Sequence, residues 1–173
     1  MIMDKTKKIV LSGLLLAVLI IAARFLSFKS GIVVISFSYV PIIIAAFVLG
    51  PEWSCIIAGL GDLIGALLFP FGAYFPGYTV SAMLTGLIYG FFLYNTKTDK
   101  EFAVKLSISS FLVLVLVHTG LTTVWVLYTS GKAFSVIMPA RVATAIAMLP
   151  VQISTMILLK KSLEKPIERF LKD

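Results

Sequence analysis

The chain has 173 residues, of which 60% are hydrophobic and 13% charged, with a mean hydropathy of +1.05. A water-soluble domain carries charge on roughly a quarter of its residues, so this composition excludes one and indicates a surface that faces lipid. The net charge is +7, but the basic residues lie at the edges of apolar runs, which favours lipid headgroups over nucleic acid. No linker-like stretch divides the chain, so one membrane domain over residues 1–173 is expected.

Six apolar segments follow one another along the chain. A membrane crossing needs roughly 20 residues, and the second, third and fourth segments are short, which is possible where the protein itself fills the gap. They cover residues 8–26, 33–49, 52–69, 79–94, 102–128 and 137–159, and residues 160–173 form a short amphipathic tail. The expected fold class is an all-α integral membrane protein, a bundle of six transmembrane helices.

Basic residues are distributed unevenly between the two ends of these helices. An even number of helices places both termini on one side, where eleven of the 15 Lys and Arg residues fall. An excess of Lys and Arg marks the cytoplasmic side of a membrane protein. We therefore expect cytoplasmic N and C termini.

The four remaining cations are Arg24, Lys29, Lys132 and Arg141, on a side where the loops carry no carboxylate. Snorkelling of long side chains at helix ends would account for Lys29 and Lys132. An electropositive pocket that attracts an anionic ligand from outside is the functional alternative. Arg24 and Arg141 suit that pocket better, because a guanidinium can hold a carboxylate through two parallel hydrogen bonds.

The outer loop between the third and fourth segments, residues 69–78, reads FPFGAYFPGY. It contains five aromatic residues, two prolines and two glycines, and no charge. Prolines stiffen such a loop and glycines let its backbone approach a ligand closely, while aromatic faces can stack on a planar heterocycle. An aromatic belt at the membrane surface is an equally open alternative.

Two polar residues, Asp62 and His118, lie inside apolar segments. An unpaired carboxylate near the midplane is costly, so a structural role for Asp62 is favoured, in an arginine pair or hydrogen bonds between helices. Contact with an amino-substituted ring of a ligand is the alternative. A lone histidine is more often hydrogen-bonded in a bundle than functional. No partner residues give metal-ligand spacing or a Ser-His-Asp set, so neither a metal site nor catalytic residues are expected.

Small residues recur at four-residue spacing on three segments, a pattern that lets helices approach closely in lipid. The three stripes are Gly13/Ala17, Gly61/Gly65 and Ala82/Gly86/Gly90. Internal packing would explain all of them, and docking against a partner membrane protein is the alternative. Gly13 and Ala17 are the best docking candidates, because a helix at the end of a bundle is the least enclosed.

Motifs for energy coupling are missing from the sequence. It contains no P-loop, dinucleotide fingerprint or zinc motif, so the chain cannot power transport itself. It also lacks the midplane ladder of charges typical of a proton-coupled carrier and the side-to-side polar stripe of a channel. A binding subunit that depends on the energy of a partner fits these features.

Several stretches match a known family, and together they span nearly the whole chain. They are Ser36-Phe-Ser38, Gly61-Asp-Leu-Ile-Gly-Ala66, residues 69–79, residues 84–90, Met138-Pro-Ala-Arg141 and Met148-Leu-Pro-Val-Gln152. In these motifs the chain strongly resembles the folate-specific substrate-binding subunits (S components) of energy-coupling-factor (ECF) vitamin transporters.

The resemblance implies a multi-pass protein of a prokaryotic cell membrane that captures folate from outside. It implies three partners, one transmembrane coupling protein and two cytoplasmic ATPase subunits, so that ATP binds only to partners and the chain is not an enzyme. No cofactor and no nucleic acid are expected. Another anionic vitamin, such as pantothenate, is an alternative ligand, whereas the cation of thiamine argues against thiamine. An intramembrane enzyme is an alternative of another class, but the chain lacks an acid–base pair.

The expected ligand-binding residues combine the loop, the outer cations and the polar or aromatic residues of the fifth segment. They are Arg24, Phe71, Tyr74, Phe75, Pro76, Gly77, Tyr78, His118, Trp125, Tyr128, Lys132 and Arg141. The aromatic residues would suit the flat pterin ring, and the cations would suit the two carboxylates of the glutamate tail. Asp62 is expected to be either structural or a ligand contact.

Overall fold

The computed structural model describes residues 4–30, 33–70, 74–130 and 133–172, with the backbone alone at 28–30, 33–34 and 163–172. These residues form six helices and one β-hairpin. The helices are α1 (Lys5–Arg24), α2 (Tyr39–Leu49), α3 (Pro51–Leu68), α4 (Pro76–Leu93), α5 (Asp99–Ser130) and α6 (Phe134–Lys172). The hairpin pairs β1 (Ser27–Ser30) with β2 (Val33–Ser36) in antiparallel fashion. The predicted helical membrane bundle is confirmed.

Five of the six helices are long and apolar enough to cross a membrane, and α2 is the exception. With 11 residues, α2 is much shorter than the roughly 20 residues of a full span. It packs against α1, α3 and α4, and its Ile43, Ala45 and Ala46 are completely buried. A helix that is apolar all round is expected where neighbouring helices surround it, so α2 forms the centre of the bundle.

Helices α3 and α4 form the closest helix pair. Gly50, whose φ of 91° favours glycine, ends α2 and leads directly into α3. Gly86 and Gly90 of α4 lie against main-chain atoms of Ser54 and Pro51 in α3, where a Cβ atom would clash. The Ser54 hydroxyl donates a hydrogen bond to the Gly86 carbonyl oxygen at 2.8 Å. Internal packing therefore accounts for the small-residue stripe on α4.

The other two small-residue stripes differ in what they face. A Cβ added to Gly61 would clash with the Leu19 side chain, and one added to Gly65 would lie 2.7 Å from Nε of Arg24, so both glycines pack against α1. A Cβ added to Gly13 meets nothing within 4 Å. The α3 stripe is thus occupied internally, and the α1 stripe is open.

Two segments differ from the boundaries that hydropathy indicated. Val33–Ser36, assigned by hydropathy to the second helix, forms strand β2 instead, because Val33, Val34 and Ile35 are β-branched and favour extended backbone. Residues 160–172, expected as a separate tail, continue α6 without a break. Residues 160–165 read KKSLEK, mostly strong helix formers.

Helix α5 contains a π-helical segment at Val113–Leu121, between regular turns at Asp99–Leu112 and Thr122–Ser130. The Thr122 hydroxyl donates to the Val117 carbonyl oxygen, five residues earlier, at 2.9 Å. The π geometry widens a helix and occurs frequently at functional sites. This segment packs against both α4 and α6, so it places a wider turn between them.

One end of the bundle is marked by a buried cation and is named here the basic end. Lys160 of α6 is 7% exposed. Its Nζ lies 2.5 Å from Asp99 Oδ1 at the start of α5, and 5.7 and 5.1 Å from the ring centroids of Phe47 and Phe102. The cation thereby joins α6 to α2 and α5 through one ion pair and two cation–π contacts.

Candidate functional site

Four aromatic rings gather at the opposite end of the bundle, named here the aromatic end. Phe75, directly before α4, has its ring centroid 5.4 Å from that of Trp125, 5.6 Å from Tyr128 and 6.1 Å from Tyr78. Ring pairs at these separations attract each other. Trp125 and Tyr128 share one face of α5 because they are three residues apart. Tyr128 is 80% exposed, so the wall of rings has an accessible side.

Trp125 is held against the first turn of α4. Its indole Nε1–H donates to the Ser81 hydroxyl oxygen at 3.0 Å. Pro76 begins α4 at a position where the missing N–H has no helical partner to lose. The buried Gly77 follows, and a Cβ there would lie 2.7 and 2.8 Å from two carbons of the indole. The chain can start α4 under the Trp125 ring only because residue 77 has no side chain.

A hydroxyl pair connects α4 to the end of α5. Oγ1 of Thr129 lies 3.1 Å from the Tyr78 hydroxyl and donates to the Trp125 carbonyl oxygen at 2.8 Å. Because the single proton of Thr129 is used in that second bond, Tyr78 is the donor in the first. Tyr78 is thereby oriented along the aromatic wall.

Arg141 of α6 brings positive charge to this wall. Its Nη2 donates to the His118 carbonyl oxygen in the π segment at 2.8 Å, and the guanidinium is close enough to Tyr78 for an electrostatic interaction. Its Nε is buried and has no hydrogen-bond partner among the described residues. His118 meets Arg141 through its main chain, while its side chain is exposed. Arg141 therefore keeps a donor for a further acceptor.

A second polar group lies where α1, α3 and α4 meet. Arg24 donates from Nη1 to the Phe69 carbonyl oxygen at 3.2 Å and from Nη2 to the Asp62 carbonyl oxygen at 3.4 Å. The Thr79 hydroxyl donates to Asp62 Oδ2 at 2.9 Å, and the Tyr74 hydroxyl lies 3.0 Å from Thr79 Oγ1. These bonds hold the aromatic loop at its first residue, Phe69, and at Tyr74 within it.

The structure thus distributes the expected site residues over two groups on either side of α4. The first contains Phe75, Pro76, Gly77, Tyr78, His118, Trp125, Tyr128 and Arg141, and the second contains Arg24, Asp62 and Tyr74. The two arginines contact different helices: Arg24 donates to main-chain oxygens of Asp62 and Phe69, and Arg141 donates to that of His118. Phe71 and Lys132 lie outside the described residues. Gly13 and Ala17 lie on α1, on an exposed part of the helix surface.

Three hydroxyl residues were missed by the sequence analysis: Ser81, Thr79 and Thr129. Hydropathy treats Ser81 as one polar residue in an apolar run and gives no sign that it faces Trp125. A helical-spacing signal was present, because Gly77, Ser81 and Thr85 recur every four residues and occupy one buried face of α4. Among the described residues, no three His, Cys, Asp or Glu side chains are grouped to hold a metal ion.

The architecture and site correspond to a known class of membrane protein. The family model described as "ECF-type riboflavin transporter, S component" matches residues 3–165. The chain therefore belongs to the S component family of ECF transporters, a family of transporter subunits. The family that the sequence motifs indicated is confirmed.

Individual relatives agree with this family and specify a group within it. The "Folate transporter FolT" of Clostridium novyi is 31% identical over 149 residues, covering 86% of this chain and 85% of the relative. That of Leuconostoc mesenteroides is 32% identical over 153 residues, covering 86% and 81%. A solved structure described as "Crystal structure of FolT bound with folic acid" has a TM-score of 0.83 at 32% identity, covering 91% of this chain and 94% of the other.

Proposed function

We propose that the chain is the folate-binding S component of an ECF transporter and captures folate at the aromatic end. The observation that carries this proposal is the similarity, over nine-tenths of both chains, to FolT bound with folic acid. The named folate transporters of two bacteria support the same ligand. The subunit binds the vitamin, and movement across the membrane depends on partners.

The chemistry of the first group of residues fits the two halves of folate. The flat pterin stacks against the wall formed by Phe75, Trp125 and Tyr128, in which the Phe75 ring centroid lies 5.4 and 5.6 Å from the other two. A carboxylate of the glutamate tail accepts from Arg141, whose buried Nε has a hydrogen to donate. Tyr78 lies between the ring-binding and the carboxylate-binding positions.

The remaining residues of the proposed site have supporting roles. Arg24 and Asp62 hold the loop in place, because their contacts are with Phe69 and Thr79. His118 contributes the carbonyl oxygen that orients Arg141. Phe71 and Lys132 stay in the proposed site on the strength of the sequence, as an aromatic of the loop and an outer cation.

Riboflavin is the second candidate ligand, because the matching family model is described by that vitamin. Riboflavin has a flat ring system and no carboxylate, so it would use the aromatic wall and leave Arg141 without an anionic partner. Calorimetry on the purified chain in detergent, with folate, riboflavin and pantothenate, separates the candidates. We expect heat of binding from folate only. Binding of riboflavin without folate would overturn the folate assignment while keeping the family.

The aromatic end is proposed to face outward from a prokaryotic cell membrane, with both termini in the cytoplasm. The support is the excess of Lys and Arg at the termini and at the loop before α5. A protease site appended to the C terminus tests this orientation. It should be protected in intact spheroplasts and cleaved in inverted vesicles, and the reverse pattern would contradict the proposal.

The proposed partners are a transmembrane coupling protein and two cytoplasmic ATPase subunits, which alone bind ATP. The open face of α1 around Gly13 and Ala17 is the proposed docking surface. Leu14, on the same side, is 61% exposed, whereas the glycines of α3 and α4 are already in contact with other helices. Smooth faces of this kind let a partner helix approach closely.

Replacing Gly13 or Ala17 with leucine should block assembly with the coupling protein, because a bulky side chain holds the two helices apart. Folate binding by the isolated subunit should persist, since neither residue contacts the aromatic end. Co-purification of the coupling protein measures assembly. The matched control is Val104→Leu, because Val104 of α5 is also exposed, at 58%. Normal assembly in both α1 variants would contradict this docking surface.

A further inference from the structure

Ser81 contacts the aromatic wall at the nitrogen of the Trp125 indole. The Ser81 side chain is 5% exposed, and its hydroxyl oxygen accepts the Nε1–H of Trp125 at 3.0 Å. A hydroxyl buried in an apolar helix pair is costly unless it is hydrogen-bonded. The hydrogen bond between them satisfies both the Ser81 hydroxyl oxygen and the Trp125 N–H, so each side chain restrains the position of the other.

The Trp125 ring is also limited by steric contact, at Gly77. Gly77 lies one helical turn before Ser81, and a Cβ at Gly77 would come within 2.8 Å of the indole carbons. Real Cβ atoms do not approach other atoms this closely, so the Trp125 ring, together with the still nearer Phe75 ring, occupies the space that a side chain at residue 77 would need. The ring is thereby confined between the backbone at Gly77 and the hydroxyl of Ser81.

The buried face of α4 keeps Ser81 in place. The Thr85 hydroxyl donates to the Ser81 carbonyl oxygen at 2.9 Å, and one turn further Tyr89 is 2% exposed and bonded to Ser110 and Gln152. Ser81 therefore belongs to a continuous buried row that begins at the aromatic wall. Because the Ser81 hydroxyl oxygen is held in one position, the hydrogen bond that it accepts keeps the plane of the Trp125 indole in one orientation.

We infer that Ser81 is a positioning residue for ligand binding, which sets the plane of the Trp125 ring and works together with the clearance at Gly77. The inference rests on the proposed function, in which Trp125 stacks against the ring of folate. Because its N–H is already bonded to Ser81, Trp125 offers the ligand a flat face rather than a hydrogen-bond donor. At this wall, Trp125 therefore selects ligands that have a flat ring, and it does not distinguish them by the hydrogen-bonding groups at the edge of that ring.

The test uses the full-length protein with Trp53→Phe, which leaves Trp125 as the single tryptophan. Ser81→Ala should shift and broaden the emission of Trp125 in the unliganded protein. It should also weaken folate binding in calorimetry by about three- to tenfold, the value of one ordinary hydrogen bond. Ser81→Thr, which returns a hydroxyl, should restore both. Ser109→Ala, which removes a buried hydroxyl of α5 that donates to the Leu106 carbonyl oxygen, should change neither.

Each outcome decides the inference. Parent-like folate affinity in Ser81→Ala would overturn it, because the hydrogen bond would then have no effect on binding. An equal loss in Ser109→Ala would also overturn it, because the loss of any buried hydroxyl would then weaken binding. If Ser81→Ala does not fold, Ser81→Cys provides the alternative, because a thiol is a weak acceptor for the indole N–H and should weaken binding in the same way. Unchanged emission and binding there would overturn the inference. If the parent itself binds no folate, the proposed function fails. The Trp125 emission of Ser81→Ala and Ser81→Thr then tests by itself whether Ser81 fixes the position of the ring.

Discussion

Arg141 and Arg24 lie at the same end of the bundle but use their guanidinium groups differently. Arg24 donates to two main-chain oxygens near the end of α3, as basic side chains often do near helix C-termini. Arg141 donates to one main-chain oxygen, that of His118. In the proposed function, Arg24 supports the loop and Arg141 binds a carboxylate of the ligand.

We expect Arg141→Ala to weaken folate binding by at least about 1.5 kcal/mol, the lower end for a hydrogen bond to a charged group. Calorimetry on the purified variant measures the change. Arg24→Ala is the control, and it should lower the melting temperature more than it lowers the affinity. A larger loss of affinity in the Arg24 variant would reverse the assignment of the two arginines.

Asp62 accepts the Thr79 hydroxyl and so joins α3 to α4 below the aromatic loop. Asp62→Leu should lower the melting temperature more than it changes folate affinity, since an apolar side chain leaves Thr79 without its acceptor. Thr79→Val removes the other member of the pair and should reproduce the effect. Asp62→Asn keeps an acceptor and should be milder. A stable Asp62→Leu protein that no longer binds folate would place Asp62 in the ligand site.

Residue types indicated which residues are candidates for the site but not how those residues contact one another. The aromatic loop and Arg141 could be identified because unusual residues cluster there. The sequence could not reveal that His118 acts through its carbonyl oxygen, because main-chain contacts leave no trace in the side-chain pattern. Nor could it show that Arg24 and Arg141 lie in separate groups, since helix order around the bundle decides that.

At the scale of helices, the contact between α3 and α4 depends on glycine. Gly86→Ala or Gly90→Ala should each destabilise the protein by about 1–3 kcal/mol, the usual cost of overpacking, because the new methyl group meets the backbone of Ser54 or Pro51. Thermal unfolding in detergent measures the effect. Gly13→Ala is the matched control on α1 and should leave the melting temperature unchanged or slightly higher. Equal losses at all three positions would contradict the packing argument.

The number and order of the helices followed from hydropathy, whereas their internal irregularities did not. Hydropathy cannot separate strand β2 from helix α2, because Val33–Ser36 and Tyr39–Leu49 are both apolar. It is equally insensitive to the π segment Val113–Leu121, whose hydrogen-bond register depends on packing against α4 and α6. The β-branched residues at 33–35 were a usable local signal for the strand.

At the scale of the whole molecule, the basic end is held by Lys160. Lys160→Met should lower the melting temperature by more than Asp99→Asn, because the buried ammonium also contacts Phe47 and Phe102, while the Asp99 side chain is 73% exposed. Differential scanning fluorimetry of both variants checks the order. High salt should weaken the ion pair, because the Asp99 carboxylate is exposed to solvent. Equal losses would show that the ion pair alone holds this end.

The backbone contact between α3 and α4 also keeps the distance between these two helices constant, so that this distance can serve as a reference for measurements on other helices. Two helices joined at Gly86 and Gly90 cannot separate or slide without losing that contact. Spin labels at Ile56 and Phe91, which are 49% and 69% exposed, would therefore report one separation with and without ligand. If the distance from either of these labels to a third label on α5 or α6 changes when ligand binds, the movement can then be assigned to the helix that carries the third label.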